Sequence, residues 1–130
     1  MIVVDASAVL EVLLRTPAAA AIETRIFDPG ETLHAPHLLD LEIAQVLRRY
    51  AMSGQIDPGR GQTALSDFAS FTLNRYPHDV LLPRIWEMRA NVTAYDAAYV
   101  ALAEALDAPL LTSDKRLAAA TGHLARIELV

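Results

Sequence analysis

A parallel α/β sheet covered by helices on both faces is the fold that this sequence predicts. Short apolar runs that read as strands recur between stretches with helical spacing, and no linker, internal repeat or low-complexity segment divides the chain. Parallel strands need crossover connections, usually helices, so an alternating order of the two element types implies that architecture. A length of 130 residues with 53% apolar side chains is enough to fill one core, and the whole of residues 1–130 is expected to form one domain.

Ile2 to Val4 reads as a short buried strand, followed by a helix over Ala8 to Arg15 with Val9, Val12 and Leu13 at helical spacing. Ala18 to Phe27 is a second helix, ended by Asp28-Pro29-Gly30, and Thr32 to Ala35 is a short extended piece stopped at Pro36. Leu39, Ile43, Val46, Leu47 and Tyr50 set a helix over Leu38 to Tyr50 with Glu42 near its start, and Ser53-Gly54 closes it. Asp57 with Pro58 reads as a cap and first position of a helix reaching about Phe71, with a strand around Thr72 to Arg75 next.

Val80 to Arg89 has helical character. Thr93 caps the most regular helix, Ala94 to Leu106, which places Tyr95, Tyr99, Leu102 and Leu106 on one side. Pro109 to Thr112 reads as a strand, Lys115 to Ala120 as a helical turn or more, and Ala125 to Val130 as a last alternating strand.

Composition narrows the chemistry. There is no cysteine, so a disulfide framework and a thiolate metal site are both excluded, and any metal must be held by oxygen or imidazole. The N-terminal Ile2-Val3-Val4-Asp5 lacks the basic start and longer apolar core of a secretory signal, and Ala97 to Leu106 is too short and too charged for a membrane span. A soluble, cytoplasmic protein is the expectation. Sixteen acids against eleven bases give a formal charge of -5, which counts against broad nucleic-acid binding. Ten of the eleven bases are arginine, however, the side chain best shaped for phosphate, and bound divalent cations would reverse the potential around an acidic site.

Ligands of open parallel sheets bind beyond the carboxyl ends of the strands. Asp5 and Asp114 each follow an apolar strand there and precede a helix, while Glu42 and Asp96 lie in the first turns of helices. If those helices start at the same edge, four carboxylates meet in one cleft. Their mutual repulsion is most readily offset by a hard divalent cation, which would support phosphodiester hydrolysis through an activated water. Each acid also has a plainer reading. Thr93-Ala94-Tyr95-Asp96 is a capping-box pattern, Asp114 suits a helix cap, and Glu42 could pair with Arg48 or Arg49. Asp5, directly after a buried strand, is harder to explain without a partner or a function.

The ordered segments IVVDASAVLEVLL, HAPHLLDLEIAQVLRR and TAYDAAYVALAEALDAPLLTSDKRLA, with the closing strand, resemble a PIN domain, and within that family the VapC toxin branch. The most specific piece is Y-D-A-A-Y-V-A-L-A followed by L-L-T-S-D-K-R-L at this separation. The resemblance implies a three-layer α/β/α sandwich around a central mostly parallel sheet. It carries the family's metal-site acids to Asp5, Glu42, Asp96 and Asp114, and its small hydroxyl positions to Ser7 and Thr112, which would orient the acids or their waters. It also implies an endoribonuclease dependent on Mg²⁺ or Mn²⁺, a homodimer, and inhibition by a cognate VapB-type antitoxin.

Neighbouring residues suit lesser roles. Lys115 and Arg116, beside Asp114, are candidates for RNA phosphate as well as a solvated helix start, with Arg48 and Arg49 weaker ones. Asp40 points away from Glu42 on a helix, and His34 and His37 lack the partners that zinc needs, which leaves them surface or strand-end roles. Trp86, Tyr95 and Tyr99 fit a core or dimer interface better than base stacking, with no catalytic role. Aspartyl-phosphate chemistry is disfavoured because Asp5-Ala6-Ser7 lacks a second acid. The remaining alternative is a non-catalytic, metal-binding interaction domain of receiver-like type.

Overall fold

Ile2, Val3 and Val4 have no exposed surface, and they form β1 (Ile2–Val4), the middle strand of a computed structural model that describes residues 1–130. With β2 (Leu33–Pro36), β3 (Leu73–Tyr76), β4 (Leu110–Thr112) and β5 (Ile127–Leu129) it makes a five-stranded sheet in the order β3-β2-β1-β4-β5. Every pairing is parallel, with Val3 beside His34 and Val4 beside Leu111. The three inner strands are buried along their whole length, as strands covered on both faces must be.

The helices are α1 (Ala6–Leu13), α2 (Ala19–Ile26), α3 (Leu38–Met52), α4 (Pro58–Ala69), α5 (Leu82–Glu87), α6 (Ala94–Leu106) and α7 (Lys115–Ala118). α1 to α4 pack on one another, while α5 packs on α6 and α6 lies against β1, β2 and β4. Right-handed crossovers that run outward to β3 and then return past β1 put their helices on opposite faces, which gives three layers, α/β/α. The strand order reverses between β1 and β4, so a crevice opens at the carboxyl ends of those two neighbours.

Several boundaries differ from the sequence reading. α1 begins at Ala6 because the Asp5 side chain accepts from the Ala8 N–H and caps it. The helix expected over Val80 to Arg89 is broken into a 3₁₀ turn at Asp79–Leu81 and a short α5, whose first turn holds Pro83, a residue with no N–H to give. Pro58 does open α4, yet Asp57 makes no side-chain capping bond. α3 runs on to Met52, α7 stops at Ala118, and β5 is only Ile127–Leu129. Burial on α6 starts at Ala97, one turn in, so Tyr95 is 63% exposed and does not share the buried side of Tyr99 and Leu102. No helix is long and apolar enough to cross a membrane.

Candidate active site

Asp5 leaves the carboxyl end of β1 and is only 6% exposed. Three donors hold it: Ser7 Oγ at 2.7 Å and the Ala8 N–H at 3.0 Å on Oδ1, and Thr112 Oγ1 at 2.5 Å on Oδ2. Thr112 ends β4, the strand beside β1, and its hydroxyl also accepts from the Asp114 N–H at 3.0 Å. Ser7 Oγ lies 3.1 Å from the same hydroxyl and accepts from the Ser113 N–H at 3.0 Å. The two hydroxyls therefore stitch the ends of β1 and β4 together around one carboxylate. Asp114 then caps α7, its Oδ1 accepting from the N–H groups of Arg116 at 2.9 Å and Leu117 at 3.4 Å.

Glu42 and Asp96 approach from helices that begin at the same edge. α3 follows the end of β2, and α6 runs antiparallel to β4, so both N-termini face the crevice. Thr93 Oγ1 accepts from the Asp96 N–H at 3.2 Å, but the Asp96 carboxylate does not accept from the Thr93 N–H in return, so the capping box is half made and that carboxylate stays free. Glu42 pairs with neither Arg48 nor Arg49; its Oε1 accepts from the hydroxyl of Tyr99, which is 1% exposed. Tyr99 lies in the core, one of the places the sequence reading offered it, but its bond to Glu42 was not foreseen. The available signal was its position one turn after Asp96 on the buried side of α6.

The four acids feel one another. Burial pushes the Asp5 carboxyl above the usual range against the pull of its three donors, and the charge of Asp114 adds to the rise. Glu42 is raised first by burial and then by Asp96 and Asp5, with Tyr99 opposing. Asp96 is raised by burial and by Asp114, with Arg116 opposing. Such a set of repelling, hard oxygen donors suits Mg²⁺ or Mn²⁺ chemically. No group of three or more acidic, histidine or cysteine side chains is drawn tightly enough here to hold a metal ion by itself. The acids share a field rather than a closed shell. That fits an ion which takes one or two carboxylates and keeps several waters better than one needing a complete protein cage.

The PIN-domain family model matches residues 2–122. The chain belongs to the PIN-domain family. Among its relatives, it is 43% identical over 130 residues to Ribonuclease VapC12 of Mycobacterium tuberculosis, covering 100% of this chain and 99% of the relative. It is 50% identical over 117 residues to Ribonuclease VapC9 of the same species, covering 90% of this chain and 88% of that one. These place it among the VapC-type ribonucleases. The fold matches that of VapBC2 from Rickettsia felis, solved bound to a DNA fragment from its promoter, with a TM-score of 0.73 at 14% identity over 99% of this chain and 98% of the other.

Around the acids of this PIN domain the lesser candidates separate. Asp40 is ion-paired to Arg75 Nε at 2.9 Å and plays no part in the cleft. His34 is not at a surface or strand end but buried inside β2, bonded to Thr32 Oγ1 at 2.8 Å and the Tyr76 hydroxyl at 2.7 Å, while His37 is exposed at the start of α3. Lys115 and Arg116 are exposed in the first turn of α7, beside Asp114. Trp86 is 67% exposed, with the Arg89 guanidinium 4.6 Å from its ring centre, so it is not core.

Proposed function

We propose that this VapC-type ribonuclease hydrolyses RNA phosphodiester bonds in the crevice between β1 and β4, with Asp5, Glu42, Asp96 and Asp114 holding Mg²⁺, or Mn²⁺ in its place. The observation that carries the reading is the buried Asp5, fixed by Ser7 and Thr112 and coupled by charge to Asp114 and Glu42, which are coupled in turn to Asp96. Four acids gathered at one sheet edge repel one another, and a divalent cation held by one or two of them, with the others bound through its waters, offsets that repulsion. When bound, the ion would activate water and neutralise charge on the phosphate.

The chain's own groups have distinct tasks in this scheme. Asp5 presents its oxygens at a fixed angle because Ser7, Ala8 and Thr112 leave it no freedom to turn. Tyr99 holds the Glu42 carboxylate on the α6 side. Asp96, whose carboxylate has no hydrogen-bond partner, is the acid freest to meet a bound ion, and Asp114 spends one oxygen on α7 and leaves the other without a hydrogen bond. Lys115 and Arg116 would meet phosphate beside Asp114.

The same reading covers partners and place. A VapB-type antitoxin encoded beside the toxin would cover the acidic crevice, a cationic side chain of its own replacing the metal or the RNA. Leu41, Leu82 and Tyr95 are all more than half exposed; Leu41 and Tyr95 border a groove that includes Glu42, Tyr95 and Leu82 border the adjoining one, and Trp86 lies one turn beyond Leu82. That apolar face suits a second copy of the chain in a homodimer. The protein would act in the cytoplasm as a single PIN domain. Membership among ribonucleases displaces the receiver-like alternative.

The deciding experiment is cleavage of total cellular RNA by purified protein with Mg²⁺ or Mn²⁺, with EDTA and Asp5→Asn as controls. Asparagine caps helices as well as aspartate does, so the variant should fold. Cutting that needs the metal and is lost in Asp5→Asn supports the reading. Cutting that persists in Asp5→Asn or in EDTA would sink it.

A further inference from the structure

We propose that Arg49 grips an RNA phosphate neighbouring the one that is cut, so that the strand runs from the carboxylates along the groove between α1 and α3. This rests on the cleavage reading above. Glu42 and Arg49 are seven residues apart on α3, nearly two full turns, so they share one face about 10 Å apart along the axis.

The surface agrees with that spacing. A groove of about 350 Å³ has Glu42 and Arg49 on its wall, together with Ser7 and Ser113 from the ends of β1 and β4. A second groove of about 420 Å³, the one whose Leu41 and Tyr95 suit a second copy of the chain, also borders Glu42 and Arg49, so the RNA strand is assigned to the first groove alone. Arg49 is the single cation on either wall. Four other arginines, Arg25, Arg75, Arg84 and Arg126, are committed to ion pairs away from this groove, and Arg116 lies 3.8 Å from Asp114 on the opposite flank. The Arg49 guanidinium has no acidic partner and lies 5.8 Å from the Tyr50 ring centre. Glu11, the other acid on the first groove besides Glu42, already accepts from the Thr16 hydroxyl.

A chain of net charge -5 cannot attract RNA through a general basic surface, so local cations must do it. The planar arginine fork matches a phosphate. Arg49 on α3, with Lys115 and Arg116 on α7, gives the acids a cation on each flank.

The test compares wild type, Arg49→Gln and Arg48→Gln on a labelled single-stranded oligonucleotide spanning a cut mapped in total cellular RNA. Arg48 is exposed and borders neither groove. Arg49→Gln should raise KM about tenfold, with kcat within about twofold, as expected for lost binding shared by ground and transition states. Its log–log salt dependence should flatten by about 0.7, one phosphate contact on a single strand. Arg48→Gln should match wild type. Arg49→Gln indistinguishable from Arg48→Gln, or slower at unchanged KM, would overturn the proposal. So would an Arg49→Gln protein that cuts RNA normally and loses affinity only for the antitoxin. Failure of wild type to cut any RNA would instead remove the cleavage reading, and this inference with it.

Discussion

The Tyr99 hydroxyl donates to Glu42 Oε1 across 57 residues of sequence and joins α6 to α3 at the edge where the acids gather. Tyr99 is among the largest fully buried side chains, and burial with the Glu42 bond holds its own hydroxyl well above the usual tyrosine range. It therefore acts as a neutral donor at every working pH.

Tyr99→Phe should keep the fold, because the ring stays in the core and one hydrogen bond contributes only about 1 kcal/mol. Mn²⁺ affinity, read by electron paramagnetic resonance, should weaken about tenfold, as when the partner that orients a metal ligand is removed. Unchanged Mn²⁺ affinity in a folded variant would show that Tyr99 merely packs.

Asp5, Glu42 and Asp96 are all raised. An acid whose folded pKa exceeds its unfolded value of about 4 lends stability below that value and loses it as pH rises through the folded pKa. At pH 7 the metal-free acids therefore oppose folding. Asp96→Asn should raise the Tm of protein in EDTA at pH 7, the gain should shrink as pH falls through the folded pKa and vanish below the unfolded value of about 4, and Mg²⁺ should raise the Tm of wild type more than that of the variant. A lower Tm for Asp96→Asn at pH 7 in EDTA would mean that helix capping, not repulsion, governs this acid.

Local rules carried much of this molecule into view. α6 lies at its expected bounds because the Thr93 cap and the helical spacing agree, and Asp5 and Asp114 were legible because each follows an apolar run. What escaped depends on contacts distant in sequence. The Glu42–Tyr99 bond needs α3 and α6 to meet, His34 is buried by Tyr76 from the next strand, and Tyr95 is exposed because the sheet does not reach the first turn of α6. Periodicity fixes which side of a helix faces inward, but not where its neighbour ends.

His34 predicts the opposite pH response from the acids. Burial first, and then the N-terminal ammonium, hold its imidazole below the usual value, with Glu31 opposing. A depressed pKa lends stability above the unfolded value of about 6.5 and loses it as pH falls through the folded one. Urea unfolding should show wild type weakening below about pH 6.5, by no more than about 1.4 kcal/mol per pH unit from this group, and His34→Gln should lack that component. Equal pH slopes in the two proteins would remove His34 as the source.

Thr112 tests the linkage between β1 and β4 most directly. Its hydroxyl donates to Asp5 Oδ2 at 2.5 Å, accepts from the Asp114 N–H at 3.0 Å, and is fully buried. Thr112→Val keeps the shape and strand preference but leaves a buried carboxylate oxygen and a backbone N–H without partners, which should cost about 2–3 kcal/mol in urea unfolding. The Thr112 bond is also the strongest influence lowering the Asp5 pKa, so its loss should carry that pKa further up. The acid limb of the RNA cleavage profile should then move to higher pH in Thr112→Val. Thr112→Ser, which retains the hydroxyl and gives up one methyl, should lose about 1 kcal/mol and keep the wild-type profile. If valine shifted stability alone and left the pH profile in place, Asp5 would not be the group whose ionisation limits cleavage.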